Sequence, residues 1–266
     1  GDANTGQGGT DGVSGVYEGG GSGIVVVRYA VPAPTTPDLS SANDSGALDS
    51  DNITSTRTLT FTGTASPSAS VQLSYKTATS TSDTDSSGTG WTDVGAACTA
   101  DSSSGAWSCI TSELTAGAIY KFRATSTATV DGQANSQATS ATALPVTIDT
   151  ALPTITAFSS STENGSYRAS QTVTITATAS EPVQINNTIT VTLETGATDR
   201  TVILTAASAG TALSGTYTVQ SGDTTSDLTV ASFTIGTMAD TAGNAMTSTT
   251  LPSGANIADS KAIVID

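Results

Sequence analysis

Short segments in which every second residue is apolar recur along most of the chain from residue 38 onward. In TLTFTGT the apolar positions are Leu59 and Phe61, and in SVQLSYKT they are Val71, Leu73 and Tyr75. Similar alternation occurs in IYKFRAT, TVTITATA, TITVTLET and VASFTIGT. A period of two is typical of β-strands with one buried face. Because turn-forming residues separate these segments and no stretch has helical periodicity, the pattern predicts an all-β protein of sandwich or barrel type.

Three apolar runs of similar composition divide the chain. Val27, Val146 and Val264 lie in the runs IVVV, LPVTI and KAIVI and are almost equally spaced. The first two runs are followed by proline-containing stretches, which interrupt strand pairing. The pattern predicts a Gly-rich N-terminal extension with a Pro-rich linker at residues 1–36 and two β units at residues 37–149 and 150–266.

The run at residues 24–27 predicts a strand for which the preceding Gly-rich residues offer no pairing partner. Two interpretations remain open. In donor-strand assembly an extension completes the sheet of a neighbouring copy, and the linker PAPTTP would let it leave its own unit. Alternatively, the strand closes a domain that lies upstream. In the first interpretation the donor residues are Ile24, Val25, Val26, Val27, Tyr29 and Val31.

Composition and charge exclude some classes of function. Hydrophobic residues make up 36% of the chain, the formal net charge is −15, and Ser and Thr supply about a third of the residues. Nucleic-acid binding requires clustered Lys and Arg, so this charge argues against it. No apolar run is long enough to predict a membrane span. Low hydrophobicity with negative charge is also typical of disorder, but the regular alternation argues against disorder after residue 24.

The two cysteines, Cys98 and Cys109, flank the turn-like sequence TADSSSGAWS. A symmetric hairpin at this turn would place the two side chains opposite each other, close enough for a disulfide. Two free buried thiols are the alternative. A disulfide would indicate an oxidising compartment, either the periplasm or the exterior, and we expect an extracellular or cell-surface location.

Several local sequences resemble bacterial Ig-like repeat domains of extracellular adhesins and surface or filament proteins. TPDLSSANDSGALDSDNIT, followed by LTFTGTA, is similar to the start of one such repeat. ASEPV, LETGATDRTV, DTAGNA and KAIVID resemble a second type of repeat, and GGGSGIVVVRY is similar to the closing strand of a glycine-rich domain that often precedes them. The resemblance implies two Ig-like β-sandwich domains in tandem, used as spacer, filament or adhesive modules.

The residue types argue against an enzyme. The chain contains no His, which removes Ser-His-Asp and Cys-His catalysis and His-based metal sites. Its glutamates are scattered and its aromatic residues are few, which disfavours a glycosidase. We therefore expect a non-enzymatic extracellular structural protein, a filament or sheath subunit whose partner is another copy of itself. The alternative is a spacer fragment of a large adhesin or surface-layer protein that binds cells or carbohydrate elsewhere.

A group of hard oxygen ligands lies at the start of the first unit: Asp38, Asp44, Asp49, Asp51 and Asn52. Calcium takes about six to eight such ligands, although the spacing is not that of an EF-hand. The group therefore predicts either a calcium site or a solvated acidic loop. Asp149 and Asp240 are a second candidate, because the resemblance implies that calcium can stiffen the joints between such domains. The alternative for Asp240, which lies in DTAGN, is a turn with an Asp cap and a Gly at positive φ.

Sequons for N-glycosylation begin at Asn43, Asn52, Asn164 and Asn186. In a chain so rich in Thr and Ser, such matches arise readily by chance. The sequence alone does not distinguish these two origins.

Overall fold

The structure, a computed structural model, describes residues 31–130, 133–134 and 137–266. Buried apolar side chains within these residues pack in two separate clusters, one drawn from residues 39–148 and the other from residues 155–265. We therefore refer to a first unit up to Asp149 and a second unit from Thr150 onward. The expected donor residues up to Tyr29 lie outside the described residues, whereas Val31 is described and is buried.

The first unit consists of short strands. They are β1 (Asp38–Leu39), β2 (Ile53–Thr54), β3 (Thr60–Thr64), β4 (Ser70–Thr77), β5 (Thr92–Asp93), β6 (Cys98–Thr99), β7 (Ala106–Ile110), β8 (Ala118–Thr127), β9 (Thr129–Val130), β10 (Gln133–Ala134), β11 (Ala138–Thr139) and β12 (Leu144–Ile148). One sheet has the order β1-β3-β7, and the larger has the order β2-β12-β8-β4-β5, with β6 also paired to β4 and β11 to β8. Strands β2 and β12 are parallel.

The core of the first unit lies between these two sheets. Because side chains alternate along a strand, the apolar set predicted from the sequence turns inward. Phe61 of the smaller sheet meets Phe122 of the larger sheet with their ring centroids 4.3 Å apart, and both side chains are fully buried. This contact between sheets makes the first unit the sandwich that the sequence predicts.

The predicted disulfide between Cys98 and Cys109 is present, with the two Cα atoms 5.8 Å apart. The two cysteines do not face each other in a hairpin, contrary to our expectation. Cys98 pairs with Val71 in the larger sheet, whereas Cys109 pairs with Phe61 in the smaller one. The turn that begins at Asp101 carries the chain from one sheet to the other, so the disulfide joins the edges of both sheets.

The second unit contains longer strands. They are β13 (Ile155–Ser160), β14 (Gly165–Tyr167), β15 (Thr172–Val183), β16 (Thr188–Glu194), β17 (Arg200–Thr205), β18 (Gly210–Thr218), β19 (Thr229–Ile235) and β20 (Ile263–Ile265), with one helical turn, α1 (Ile257–Ser260). Its main sheet has the order β13-β15-β18-β17-β16-β19, and β14 pairs with β20 in parallel. None of the described helical structure has the length and apolar character of a membrane span.

In the first unit the chain enters at one pole and leaves at the other. Strand β8 spans the unit, about 33 Å for ten residues. The hydroxyl of Ser126, near its end, lies 3.5 Å from the carbonyl oxygen of Pro32, where the chain enters. Ala118, at its start, pairs with Ile148, where the chain leaves.

The second unit has the same arrangement along β15. Ile155, where the chain enters, pairs with Ala179 near the end of this strand. At the chain's last residue, the N–H of Asp266 donates to the carbonyl oxygen of Tyr167, which shortly precedes the start of the strand. The two units are therefore traversed end to end.

We predict that replacing both cysteines, in a Cys98→Ala/Cys109→Ala variant, destabilises the first unit by roughly 2–4 kcal/mol, because the unfolded chain gains freedom. Trp91 and Trp107, the two tryptophans of the chain, both belong to this unit, so denaturant unfolding followed by Trp fluorescence reports on it alone. The backbone amide NMR signals of Tyr167 and Tyr217 provide the control for the second unit, because Tyr75 and Tyr120 of the first unit would contribute to any near-ultraviolet tyrosine signal. An unchanged Trp transition would contradict the prediction.

Candidate functional site

The two units meet in a contact between two backbone segments, residues 43–46 of the first unit and residues 240–244 of the second. The hydroxyl of Ser45 donates a hydrogen bond to the carbonyl oxygen of Ala242. Gly46 has φ +108°, and a Cβ atom there would overlap the carbonyl oxygen of Thr241. A Cβ atom on Gly243 would in turn lie 3.0 Å from the backbone nitrogen of Gly46. The absence of side chains on both glycines thus allows the two backbones to touch.

Asp149 links both units to this contact. Its N–H donates to the carbonyl oxygen of Thr54 in the first unit at 2.8 Å. Its own carbonyl oxygen accepts from the side-chain amide of Asn244 in the second unit at 3.0 Å. We call these two segments together with Asp149 the joint. Because the connecting residue is bonded on both sides, the joint holds the units in a defined arrangement.

Three carboxylates lie together at the joint: those of Asp149, Glu181 and Asp240. Each offers one oxygen, and these oxygens all lie within 4.8 Å of one another, a grouping found once in the described part of the chain. Glu181 belongs to the end of β15, and Val183 on the same strand forms a bridge with Asp240. The buried carboxylate of Asp240 also accepts two hydrogen bonds from Asn244, both at 2.8 Å.

The electrostatics of this group favour a cation. Burial raises the pKa of Glu181, and the negative charges of Asp149 and Asp240 raise it further. Its nearest charged neighbours are thus of the same sign. Carboxylate oxygens are ligands that calcium prefers, and a divalent cation would remove this repulsion. Asp149, Glu181 and Asp240 could therefore hold calcium, and each would supply one carboxylate oxygen of the about six to eight ligands that this ion takes.

The five residues predicted as a calcium site lie beside the joint but have different environments. Asp44 is 5% exposed; one carboxylate oxygen accepts the N–H of Asn52 at 3.1 Å, and the other has no hydrogen-bond partner among the described residues. Burial raises its pKa, the bond from Asn52 opposes this, and the charges of Asp51 and Asp49 add to it. Asp38, Asp49 and Asn52 line the same shallow cavity as Asp44. Asp51 instead accepts the N–H of Ile53 at 3.1 Å.

Asp149 and Asp240, which the sequence suggests as a second calcium site, lie close together, as such a site requires. Glu181, the third member of the group, was not recognised from the sequence. It lies in ASEPV, a stretch that resembles a repeat motif but carries no metal-binding pattern. Its closeness to Asp240 depends on pairing between residues almost sixty positions apart, which a single sequence does not encode visibly.

A cluster of cations on the outer face of the larger sheet was also not predicted. The ring of Trp91 lies 4.4 Å from the guanidinium of Arg123 and 5.1 and 5.7 Å from the ammonium groups of Lys76 and Lys121. Lys121 is buried and forms an ion pair with Asp83 at 2.7 Å. These contacts hold the loop between β4 and β5 against the sheet, a structural role.

The four sequon asparagines differ in accessibility. The side-chain oxygens of Asn43 and Asn164 accept backbone hydrogen bonds. Asn52 is half-buried, with φ 59°. Asn186 is exposed, with φ 65°, and Asn164 is exposed as well, so these two are the accessible sequon residues.

Comparison with known proteins gives one family. Residues 30–150 match the family model of the bacterial Ig-like domain, which confirms the resemblance inferred from the motifs of the first unit. Among solved structures, a marsupial T cell receptor has 10% sequence identity and a TM-score of 0.41, with 87% of this chain and 73% of that chain covered. No curated protein matches the sequence of this chain.

We predict that Gly46→Ala loosens the joint, because its Cβ atom would collide with the backbone of Thr241. Gly95→Ala is the matched control: Gly95 also has a positive φ, but no atom lies within 4 Å of a Cβ there. Both variants carry the cost of a left-handed residue, roughly 1–2 kcal/mol. NMR relaxation should give one tumbling time for both units in the parent and in Gly95→Ala, and two times in Gly46→Ala. Equal effects of both variants would refute a specific role of Gly46.

Proposed function

We propose that the chain is a load-bearing spacer of an extracellular or cell-surface protein, in which two Ig-like units transmit tension end to end. The match to the bacterial Ig-like domain and the disulfide are typical of non-enzymatic surface or structural proteins. The observation that carries the proposal is the path of the chain, which crosses each unit from pole to pole and is bonded at the joint to both.

The strand pairing near the two exits supports a load-bearing role. Ile53 and Thr54 of β2 lie parallel to Thr147 and Ile148 of β12, the last strand of the first unit. In the second unit, β14 and the terminal strand β20 are parallel in the same way. Tension along the chain pulls parallel strands past each other, so their hydrogen bonds must break together rather than one at a time.

We further propose that calcium stiffens the joint by binding Asp149, Glu181 and Asp240. A cation there would bridge the connecting residue to two segments of the second unit. The group around Asp44 is a second proposed position, because its unpartnered oxygen and Asp38, Asp49 and Asn52 face one cavity. The two positions can be separated by single substitutions.

A filament subunit that assembles by donating residues 24–30 to a neighbouring copy is the second candidate function. Val31, which the sequence also suggested as a donor residue, is buried in its own unit and is left out of the donor. The observation that favours this candidate is an open sheet edge in the first unit, analysed below. A receptor-binding or carbohydrate-binding site of an adhesin would lie elsewhere on a longer protein.

We predict that calcium raises the thermal midpoint of the second unit at pH 7, and that Glu181→Gln abolishes this rise. The folded-state pKa of Glu181 is raised, so without metal the stability is highest below the ordinary Glu pKa and decreases as pH rises through the raised value. Acidification through this range should therefore favour the metal-free parent relative to Glu181→Gln. Calorimetry with EDTA or calcium measures both effects.

Two variants complete the calcium experiment. Glu163→Gln, at an exposed turn, is the matched control and should respond as the parent does. Asp44→Asn tests the second position independently. A calcium response that survives Glu181→Gln but is lost in Asp44→Asn would favour the group around Asp44 as the position of the ion. No response in the parent would refute both positions.

The spacer proposal predicts high resistance to tension along the natural path of the chain. Optical-tweezer handles at Pro32 and Asp266 load the parallel pairs in shear. Handles at Gly95 and Asp149 instead peel β5 and β6 from the edge of the larger sheet, where Gly95 is exposed between them. We expect the first geometry to give the higher unfolding force for the first unit. Equal or lower forces would contradict a load-bearing design.

A further inference from the structure

Strand β7 has an open edge. It pairs with β3 alone, and its outer side is hydrogen-bonded only at its first residue, where the carbonyl oxygen of Ala106 accepts the N–H of Asp101 at 2.8 Å. The other edges of the first unit, β1, β2 and β5, are two residues long. In the second unit, the N–H of Phe158 in β13 donates to the carbonyl oxygen of Ala255. In β19, the N–H of Val230 donates to the side-chain oxygen of Asn256, and its carbonyl oxygen accepts from the side-chain amide of the same residue. Native sheets usually shorten or cover such edges, because an open edge pairs with other chains.

The register identifies the free groups on β7. Gly105 and Thr111 flank the strand, and both form hydrogen bonds on the side of β3. The carbonyl oxygen of Gly105 accepts the N–H of Ala65, and the N–H of Thr111 donates to the carbonyl oxygen of Leu59. Hydrogen bonding alternates along an antiparallel strand, so Trp107 and Cys109 also bond towards β3. The N–H and C=O groups of Ser108 and Ile110 therefore point to the open side, where no described residue bonds them.

The open edge is held in a fixed shape. The disulfide ties Cys109 to the other sheet, and the turn before β7 is fixed by the carboxylate of Asp101, which accepts the N–H groups of Ser103 and Ser104 at 3.0 and 2.7 Å. The side chain of Ile110 is 65% exposed, which is unusual for a β-branched residue. Strand addition to a preformed edge does not require ordering of the acceptor, which favours binding.

We propose that the β7 edge accepts residues 24–30 of a second copy as an added antiparallel or parallel strand. This inference rests on the second candidate function and names its acceptor. The donor sequence, IVVVRYA, has a run of β-branched residues and no Pro, as strand addition requires. Val31, directly after it, is buried in its own unit, so the donor is limited to the residues before it.

The place at which the chain enters the first unit favours donation to a second copy over donation to the β7 edge of the same chain. The N–H of Thr35 donates to the carbonyl oxygen of Thr64, and Thr64 pairs with Ala106, so the chain enters on the far side of β3 from the open edge. Residues 24–30 of the same chain would have to cross the end of the sheet to reach β7. A neighbouring copy presents its edge without this detour.

The test uses the full chain and measures mass by light scattering and exchange of the Ser108 and Ile110 amides by NMR. Ile110→Lys places a charge at the edge, and Ile203→Lys is its matched control, because Ile203 is 62% exposed but lies on β17, which is paired on both sides. Ser108→Pro removes the free N–H, with Ser108→Ala as control. Val27→Asp disables the donor. The Trp fluorescence of each variant reports whether the first unit is folded.

We expect concentration-dependent assembly of the parent, Ile203→Lys and Ser108→Ala, and loss of assembly in Ile110→Lys, Ser108→Pro and Val27→Asp. If Val27→Asp alone abolishes assembly, strand donation holds but β7 is not the acceptor, and the inference is wrong. If the Ser108 and Ile110 amides are protected in a monomer, the donor pairs within its own chain, which also overturns it. If the parent never assembles, both the inference and the filament candidate fail, while the spacer proposal is untouched.

Discussion

The close backbone contact between Gly46 and Thr241 determines how the two units are arranged. Each unit has its own buried core, so neither needs the other to bury its apolar side chains. A small set of hydrogen bonds around Asp149 joins the two units. These bonds can form only when residues 43–46 and residues 240–244 touch. A side chain at Gly46 would separate the two segments, and the bonds of Ser45 and Asn244 would lose their geometry. The spacer function proposed for the chain depends on this contact.

The same contact concentrates negative charge. Asp149, Glu181 and Asp240 lie together because the connecting residue, the end of β15 and the turn at residues 240–244 all reach the joint. In a chain with 23 acidic and 8 basic residues, no excess of cations exists to neutralise such a group. The three basic residues Lys76, Lys121 and Arg123 are engaged around Trp91 on the outer face of the first unit. Protonation or a cation from solution would relieve the repulsion at the joint.

Much of the fold could be predicted because its strands follow a simple period. Leu59, Phe61, Val71 and Leu73 are buried, as their alternation requires. The cysteines were paired correctly, but sequence proximity suggested a hairpin, whereas Asp101 turns the chain between sheets. A single sequence contains no signal for that change of sheet. The short helix α1 was also not predicted, although Asn256 and Asp259 form the capping box that starts it.

The candidate sites were predictable to the extent that they are local. The residues around Asp44 are close in sequence, and four of the five face one cavity, whereas the chemical importance of Glu181 arises from contacts between distant segments. The open edge of β7 has the same origin, because only the sheet order reveals which strand lacks a neighbour. A spacer and a strand-donating subunit need not exclude each other. The β7 edge runs along the side of the first unit and the joint lies at its pole, so a strand could be added laterally while tension passes through β12 into the second unit.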